Sequence, residues 1–475
     1  MVELARVEVA QHPFPSDAMK AFASILPTNA EKGTHRVLRK HQLVADVDIH
    51  EANLGEGVLQ KFPYIPTSAW MQYLMDTGRL WRQMVGVPTY RKMKLVLREF
   101  WTRFRPIRPN HKIFELAESG TLVLDRSIPI FSHSDEGRSY KHLGLFVLSV
   151  AGALGRGTRA YLNSNKHRNG IASNQMGLNF TGKTWSTQFI HCCMIKTVYD
   201  NHPDAQDGLV RLFAEDLAKL LREGITSKDS RQHVWFVHIG HKGDLPALAK
   251  MGQLKRTFAH VPRGASSKKP CSGVCHLCQA GFEDFHGPGS IPFEDFSPSA
   301  AWVGTLYQHP AWNALPTIVH GLPWGQEDLI RMFCTDIWHN VHLGLAKHFV
   351  GSACVSIIEC ASELPECPQG SVEVKFRWLT SLYQRHFRAM KVAPYIAEIS
   401  RDSMQWPMSS KCPCGKWSKG LAGTQLMQFL GAFSAKYIDG RTTNPLLLSI
   451  APLLAFRVCF TVLCYFVFPH AIMFI

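Results

Sequence analysis

The stretch S-I-P-I-F-S-H-S-D (127–135), with T-L-V-L-D-R before it (121–126) and H-L-G-L-F-V-L-S-V-A-G after it (142–152), decides the fold class. Short runs rich in Val, Ile, Leu and Phe, parted by the polar E-G-R-S-Y-K (136–141), read as a hairpin or meander whose first long strand ends at Asp135. Farther on, residues 208–224 put Leu209, Leu212, Phe213, Leu217, Leu220 and Leu221 on one side of a helix that stops at Gly224. H-V-W-F-V-H-I-G (233–240) then reads as a buried strand, followed at once by H-K-G-D-L-P-A-L-A-K (241–250). The order strand, strand, helix, strand predicts an α/β core. An acid follows the first strand and the last, and open α/β sheets build their sites at the carboxyl ends of strands.

Outward from this core the chain divides by composition. Residues 1–50 mix Pro, His and charge without sustained periodicity and read as a loosely ordered entry; 51–115 form a helical, basic region. Within it, residues 70–104 predict two helices joined by V-G-V-P-T. The second carries Arg91, Lys92, Lys94, Arg98, Arg103 and Arg105 interleaved with Trp101 and Phe104, a mixture suited to a phosphate backbone and a stacked base; Arg91, Lys94, Arg98 and Arg103 are the candidate nucleic-acid contacts. The alternative is a solvated basic face over aromatics that belong to the core. Residues 116–259 hold the first part of the α/β core, 260–300 a Pro-, Gly- and Cys-rich insertion, and 301–440 a helical completion that begins with one long helical pattern over 327–364.

Composition excludes whole classes. Apolar residues are 46% and charged residues 19% of the 475, so the chain folds, and a net charge of +15 favours an acidic polymer or surface as partner. Residues 1–25 lack a secretory signal pattern, and 13 cysteines is an odd number, so the expectation is a reducing compartment with thiols as core residues or metal ligands. No P-loop, zincin or nucleophile-elbow motif is present, and the Gly155-to-Ala160 glycine pattern lacks the acid a dinucleotide site needs. Residues 441–475 are an apolar tail; from Pro445 onward a membrane anchor is one reading and a buried helix another, because Arg457 divides the run.

Two constellations carry chemistry. Cys271-x3-Cys275-x2-Cys278 lets three thiolates bite one tetrahedral zinc ion, with His286 or His276 as fourth ligand, in a segment with no core of its own. Cys412-Pro-Cys414 is a weaker signal and reads as structural or solvent-facing. Asp336 and His339, three apart on a helical pattern, could look into one cleft or simply pair with each other.

The segments D-E-G (135–137), G-D-L-P-A (243–247), K-K-P-C-S-G-V-C-H-L-C (268–278), D-I-W-H (336–339) and W-S-K-G (417–420) occur in an order that resembles the CACTA (En/Spm-type) transposases, and more closely the transposase-like families of dinoflagellates, over roughly residues 60–440. The resemblance implies a ribonuclease H-like core in which Asp135, Asp244 and Asp336, with His339 beside them, hold Mg²⁺ or Mn²⁺ for cutting and joining DNA. Glu359 is the rival third ligand. It further implies DNA as partner, self-association into a homo-oligomer, and the nucleus as location. The rivals to strand transfer are a non-catalytic zinc-containing nucleic-acid-binding protein and a tail-anchored membrane protein.

Overall fold

The structure is a computed structural model that describes residues 2–41, 44–138, 143–155, 177–178, 187–229, 231–260, 262–263, 268–325, 328–336, 338–406 and 412–450. At its centre is a mixed sheet of five main strands: β1 (Ser127–Arg138), β2 (Gly144–Gly152), β3 (Phe189–Ile195), β4 (His233–Gly243) and β5 (Phe333–Thr335). Their spatial order is β3-β2-β1-β4-β5. The first three form an antiparallel meander, while β1, β4 and β5 run parallel to one another. A two-residue strand, Ile225–Thr226, pairs with the start of β4. This is an α/β fold, as expected.

Parallel neighbours need a crossover, and the first is the helix at Pro203–Arg222, which buries Leu209, Phe213, Leu217, Leu220 and Leu221 against the sheet. Each such side chain contributes about 1.5–3 kcal/mol of transfer energy. The basic helix α1 (Tyr90–Phe104) turns Met93, Val96, Leu97, Phe100, Trp101 and Phe104 into the same core. Trp101 is fully buried and its indole donates to Ser127 O at 2.8 Å, tying this helix to the first residue of β1.

A bulge between Ile130 and Phe131 of β1 leaves Ile239 of β4 without an opposite number. Gly240 follows it where a Cβ would stand 2.5 Å from Cys334 Sγ and 3.0 Å from the Phe131 ring, so only glycine fits. Beside the bulge, a buried polar chain links the two strands. Trp324 Nε1 donates to His238 Nδ1 (3.4 Å), which assigns the His238 proton to Nε2 and makes it the donor to Ser132 Oγ (2.7 Å). Ser132 then donates to His241 Nδ1 (2.7 Å), and His241 Nε2 to Ser134 Oγ (2.9 Å).

A second core joins the helices α2 (Ala346–Glu359), α3 (Val372–Ala389) and α4 (Gly420–Tyr437) through Cys354, Ile357, Phe376, Leu379, Tyr383, Leu426 and Leu430. The basic segment predicted as two helices is three: Thr67–Asp76, Leu80–Met84 and α1, since the Gly/Pro turn is preceded by a separate short helix. The N-terminal stretch expected to be loose instead forms helices Val2–Gln11, Asp17–Ala23 and Ala30–Lys40, which close on Val2, Ala5, Phe22, Ile25 and Val37. The first long strand runs three residues beyond Asp135, because Glu136, Gly137 and Arg138 still pair with β2.

The long helix expected over 327–364 is broken. A short 3₁₀ turn at Leu329–Met332 leads into β5; a π-helix then spans Trp338–Leu345 before α2. Phe333, Cys334 and Thr335 add to the edge of β4, and that parallel pairing overrides the helical periodicity of the flanking sequence. Among the described residues no helix is long and apolar enough to cross a membrane, and residues 451–475 of the apolar tail lie outside them.

Candidate active site

The three acids fall on one level of three adjoining parallel strands: Asp244 and Asp336 just past the ends of β4 and β5, and Asp135 within β1, three residues before its end. His133 of β1 stands opposite Lys242 of β4, and Thr335 of β5 opposite Gly243. Continuing each register to the strand ends sets Asp135 against Asp244 and Asp336 against Asp244. The Asp336 amide donates to Gly243 O at 3.2 Å, which carries the pairing one residue past β5. With strands about 4.8 Å apart, the row spans about 10 Å. All three residues are half-buried. Asp336 precedes the π-helix, and the Asn340 amide donates back to Asp336 O at 3.0 Å as that helix begins. The His339 side chain lies outside the described residues.

Asp244 Oδ1 accepts from the Ala247 amide at 2.8 Å and caps the helix Leu245–Met251, whose Pro246 sits in its first turn. Among the described residues, no three His, Cys, Asp or Glu side chains are gathered about one point. The row is a shared level of backbone; three carboxylates on adjoining strands repel one another, and a hard cation between them reverses that repulsion. The donor set, carboxylate oxygens alone, is the chemistry that suits magnesium or manganese.

Lys242 belongs to this face and was not singled out by the sequence. Its ammonium lies 3.8 Å from the centroid of the Phe131 ring. Burial lowers its pKa, while the neighbouring Cys334 and Asp336 act in the opposite direction. The available signal was strand continuation: H-K-G (241–243) extends the buried run beyond Gly240, so Lys242 faces the same side as His133.

Glu136, next to Asp135, faces the other side. It accepts from the Tyr199 hydroxyl and lies 3.8 Å from Lys196. Glu359 is exposed at the far end of α2 beside Cys360 and shares nothing with the row; the 14 residues of α2 alone span about 20 Å.

The basic helix resolves into two parts. Trp101 and Phe104 are core residues and cannot stack on a base, which corrects that half of the expectation. Lys94 and Arg98 both approach Asp125 at 3.4 Å, and Arg103 pairs with Glu99 at 2.5 Å. Arg91 and Lys92 are exposed at the start of the helix.

In the Cys-rich insertion, Cys275 and Cys278 share a hydrogen bond that draws the Cys275 thiol down to about 6, with Arg256 adding to the fall; the same bond and burial push Cys278 up. Cys271 Sγ accepts from the Gly273 amide (3.3 Å) and Cys278 Sγ from the Ala280 amide (3.5 Å). Each of these two sulfurs thus takes the amide two residues on, while the Cys271 thiol itself donates to His260 O at 3.0 Å. Arg256, buried, donates to the carbonyls of Cys275, His276, His309 and Pro310 and supplies cohesion that the segment's sequence lacks. His276 is buried, with its Nε2 3.2 Å from Phe333 O in the sheet edge, which leaves Nδ1 as the ring nitrogen open to a ligand. His286 is exposed, with its amide held by Asp284 at 3.1 Å.

No family model matches the chain, and a search of curated proteins finds no match.

Proposed function

We propose that the chain is a DNA strand-transfer protein of the CACTA transposase type on a ribonuclease H-like sheet, with Asp135, Asp244 and Asp336 as the holders of divalent cations. One observation carries the reading: three acids level on adjoining parallel strands, in a sheet ordered β3-β2-β1-β4-β5. Magnesium or manganese, when bound there, would activate a water or 3′-hydroxyl and stabilise the leaving oxygen. The chain's own residues hold the site open to such chemistry. The cap on the Leu245–Met251 helix fixes the direction of Asp244, and Lys242 places a positive charge beside Asp336 that offsets repulsion along the row. Arg91 and Lys92 supply phosphate contacts on the basic helix, and DNA is the polymer that the charge of +15 favours. Zinc held by Cys271, Cys275 and Cys278 is the structural ion in this reading, with His286 brought in from its exposed loop. The nucleus is its location, and a homo-oligomer its working form.

The test is nicking of supercoiled duplex DNA with and without Mn²⁺. The expected result is metal-dependent nicking that falls at least about a hundredfold in each of Asp135→Asn, Asp244→Asn and Asp336→Asn. Nicking retained in all three rejects the acid row. A second reading, a non-catalytic DNA-binding protein, is favoured by the absence of gathered ligand side chains among the described residues. It predicts salt-sensitive DNA binding with no metal-dependent nicking in the unaltered chain.

A further inference from the structure

The helices α1 and α3 are both basic, but only α1 spends most of its charge on acids of the chain itself: Lys94, Arg98 and Arg103 each stand beside a carboxylate. On α3, Arg377, Arg385 and Arg388 are exposed, as is Lys391 in the turn that follows, and among the described residues none of the four makes an ion pair. From Val374 to Ala397 the sequence holds no Asp or Glu. Two acids flank this stretch. Glu373 pairs with Arg401 at 3.2 Å and also feels Arg377. Glu398 is exposed where the chain runs back along α3, tied there by Gln384 Nε2 to Ala397 O at 2.8 Å.

Helical spacing sets Arg377, Ser381, Gln384 and Arg388 in one stripe with Arg385 beside it, while Phe376, Leu379, Tyr383 and Phe387 fill the other side and enter the second core. From Arg377 to Arg388 the stripe runs about 16 Å, and a duplex presents one charge per about 1.7 Å of its axis, so several phosphates can lie along it. No large apolar side chain of α3 itself is exposed, which suits an acidic polymer lying on the helix better than a bilayer that must be entered. The end of the helix adds an independent observation. Val392 donates to Phe387 O and Lys391 to Arg388 O, both at 3.0 Å, a stop that asks its turning residue for left-handed backbone. Lys391 holds φ at 56° there, where glycine would stand without steric cost. Local folding therefore disfavours the very residue that extends the cationic stripe beyond Arg388.

We propose that Arg377, Arg385 and Arg388, closed by Lys391, form a phosphate-binding face on which the backbone of duplex DNA lies. The proposal rests on the reading above only in taking DNA as the acidic partner; it is separate from the acid row and needs no metal. Each guanidinium can fork two phosphate oxygens and the ammonium can meet one, so the face positions a duplex without reading its bases. The competing role for these cations is to complement the dipole at the end of α3, which would stabilise the helix and leave DNA untouched.

The test measures binding of the full chain to a labelled duplex of mixed sequence, with chelator present to keep nicking silent, at salt from about 50 to 200 mM. Replacing Arg385 and Arg388 by Gln and Lys391 by Gly together should flatten the slope of log affinity against log salt by about 2.7, or about 0.9 for each lost phosphate contact. Arg388→Lys should keep the slope. Lys391→Gly alone separates the two roles and stays decisive if the triple variant fails to fold: its Tm should rise as the left-handed turn relaxes, while its slope flattens by about 0.9. A raised Tm with unchanged binding overturns the proposal. So does an unchanged slope in the triple variant, which leaves the DNA reading standing if the duplex is still bound. Failure of the unaltered chain to bind duplex at the lowest salt overturns both. Vesicles of phosphatidylserine and phosphatidylcholine provide the last arm: vesicle binding lost in these variants with duplex binding intact overturns the proposal in favour of a membrane surface.

Discussion

On one face of the β1–β4 pair, Ser132, Ser134, His238 and His241 bond to one another in sequence and are almost wholly buried; on the other, Phe131, His133, Asp135 and Lys242 lead to the half-buried acid row. Both faces carry polar side chains on the same two strands. The first face spends its hydrogen-bonding capacity internally and therefore holds the strands in register. The second ends in half-buried carboxylates, of which Asp244 caps a helix, with the Lys242 cation beside Asp336. Polar residues in a sheet thus divide into those that fix the strands and those that use the fixed position.

The contrast can be broken most forcefully from the buried side. His241→Ala removes two hydrogen bonds and leaves a cavity, so a loss of about 3–5 kcal/mol is expected in urea unfolding. Asp135→Asn, at the half-buried end of the same pair, is expected to cost under about 1 kcal/mol. Equal losses in the two variants would erase the distinction between the faces.

Acid sharpens it next. Burial lowers His238 to about 3 and, together with Arg108, lowers His111 to about 3; His241 is held well below its ordinary value by burial and by the neighbouring His238 and His133. These rings stay neutral in the folded chain while the unfolded chain takes up protons below about pH 6.5. Their contribution is complete above that pH and is lost as pH falls toward 3, by up to about 1.4 kcal/mol per pH unit for each ring. Unfolding midpoints measured from about pH 7.5 to 4.5 should fall steeply, and equally so in Asp135→Asn. A flat profile would mean the histidines are not held neutral.

The smallest effect separates two roles of one residue. Asp244→Ala should cost about 1 kcal/mol through the lost cap on the Leu245–Met251 helix, whereas Asp244→Asn, an equally good cap, should cost nearly nothing. Thermal unfolding of both variants beside their nicking activity distinguishes capping from metal holding. If Asp244→Asn is as unstable as Asp244→Ala, the carboxylate charge matters to the fold as well.

Much of this sheet could be read from the sequence, and the exceptions have physical causes. β1, β2 and β4 declare themselves through apolar runs, and the crossover helix through its leucine spacing. β3, F-I-H-C-C-M-I (189–195), passes unnoticed because His191 and two cysteines interrupt its apolar character, although His191 packs against Tyr64 and Phe213. β5 is three residues long and is defined by its neighbour β4 rather than by its own composition. The N-terminal helices escape because the Ala30–Lys40 segment is mostly polar and buries little more than Gly33 and Val37. Of the acid row, Asp135 and Asp244 were visible as acids at or just after strands. The level of Asp336 was not, because it depends on the pairing of Thr335 with Gly243.

The extra residue at Ile239 has a consequence that runs the length of β4. Side chains on a strand alternate, so His238 and His241, three positions apart, should look to opposite sides; the inserted residue resets the count and lets both reach Ser132. The same reset brings Lys242 and Asp244 to the side of Asp135. Ile239 works as a parity bit. Were Ile239 to take its own place in the ladder, opposite Phe131, His241 would turn away from its serines and Asp244 would stand opposite Glu136 rather than Asp135.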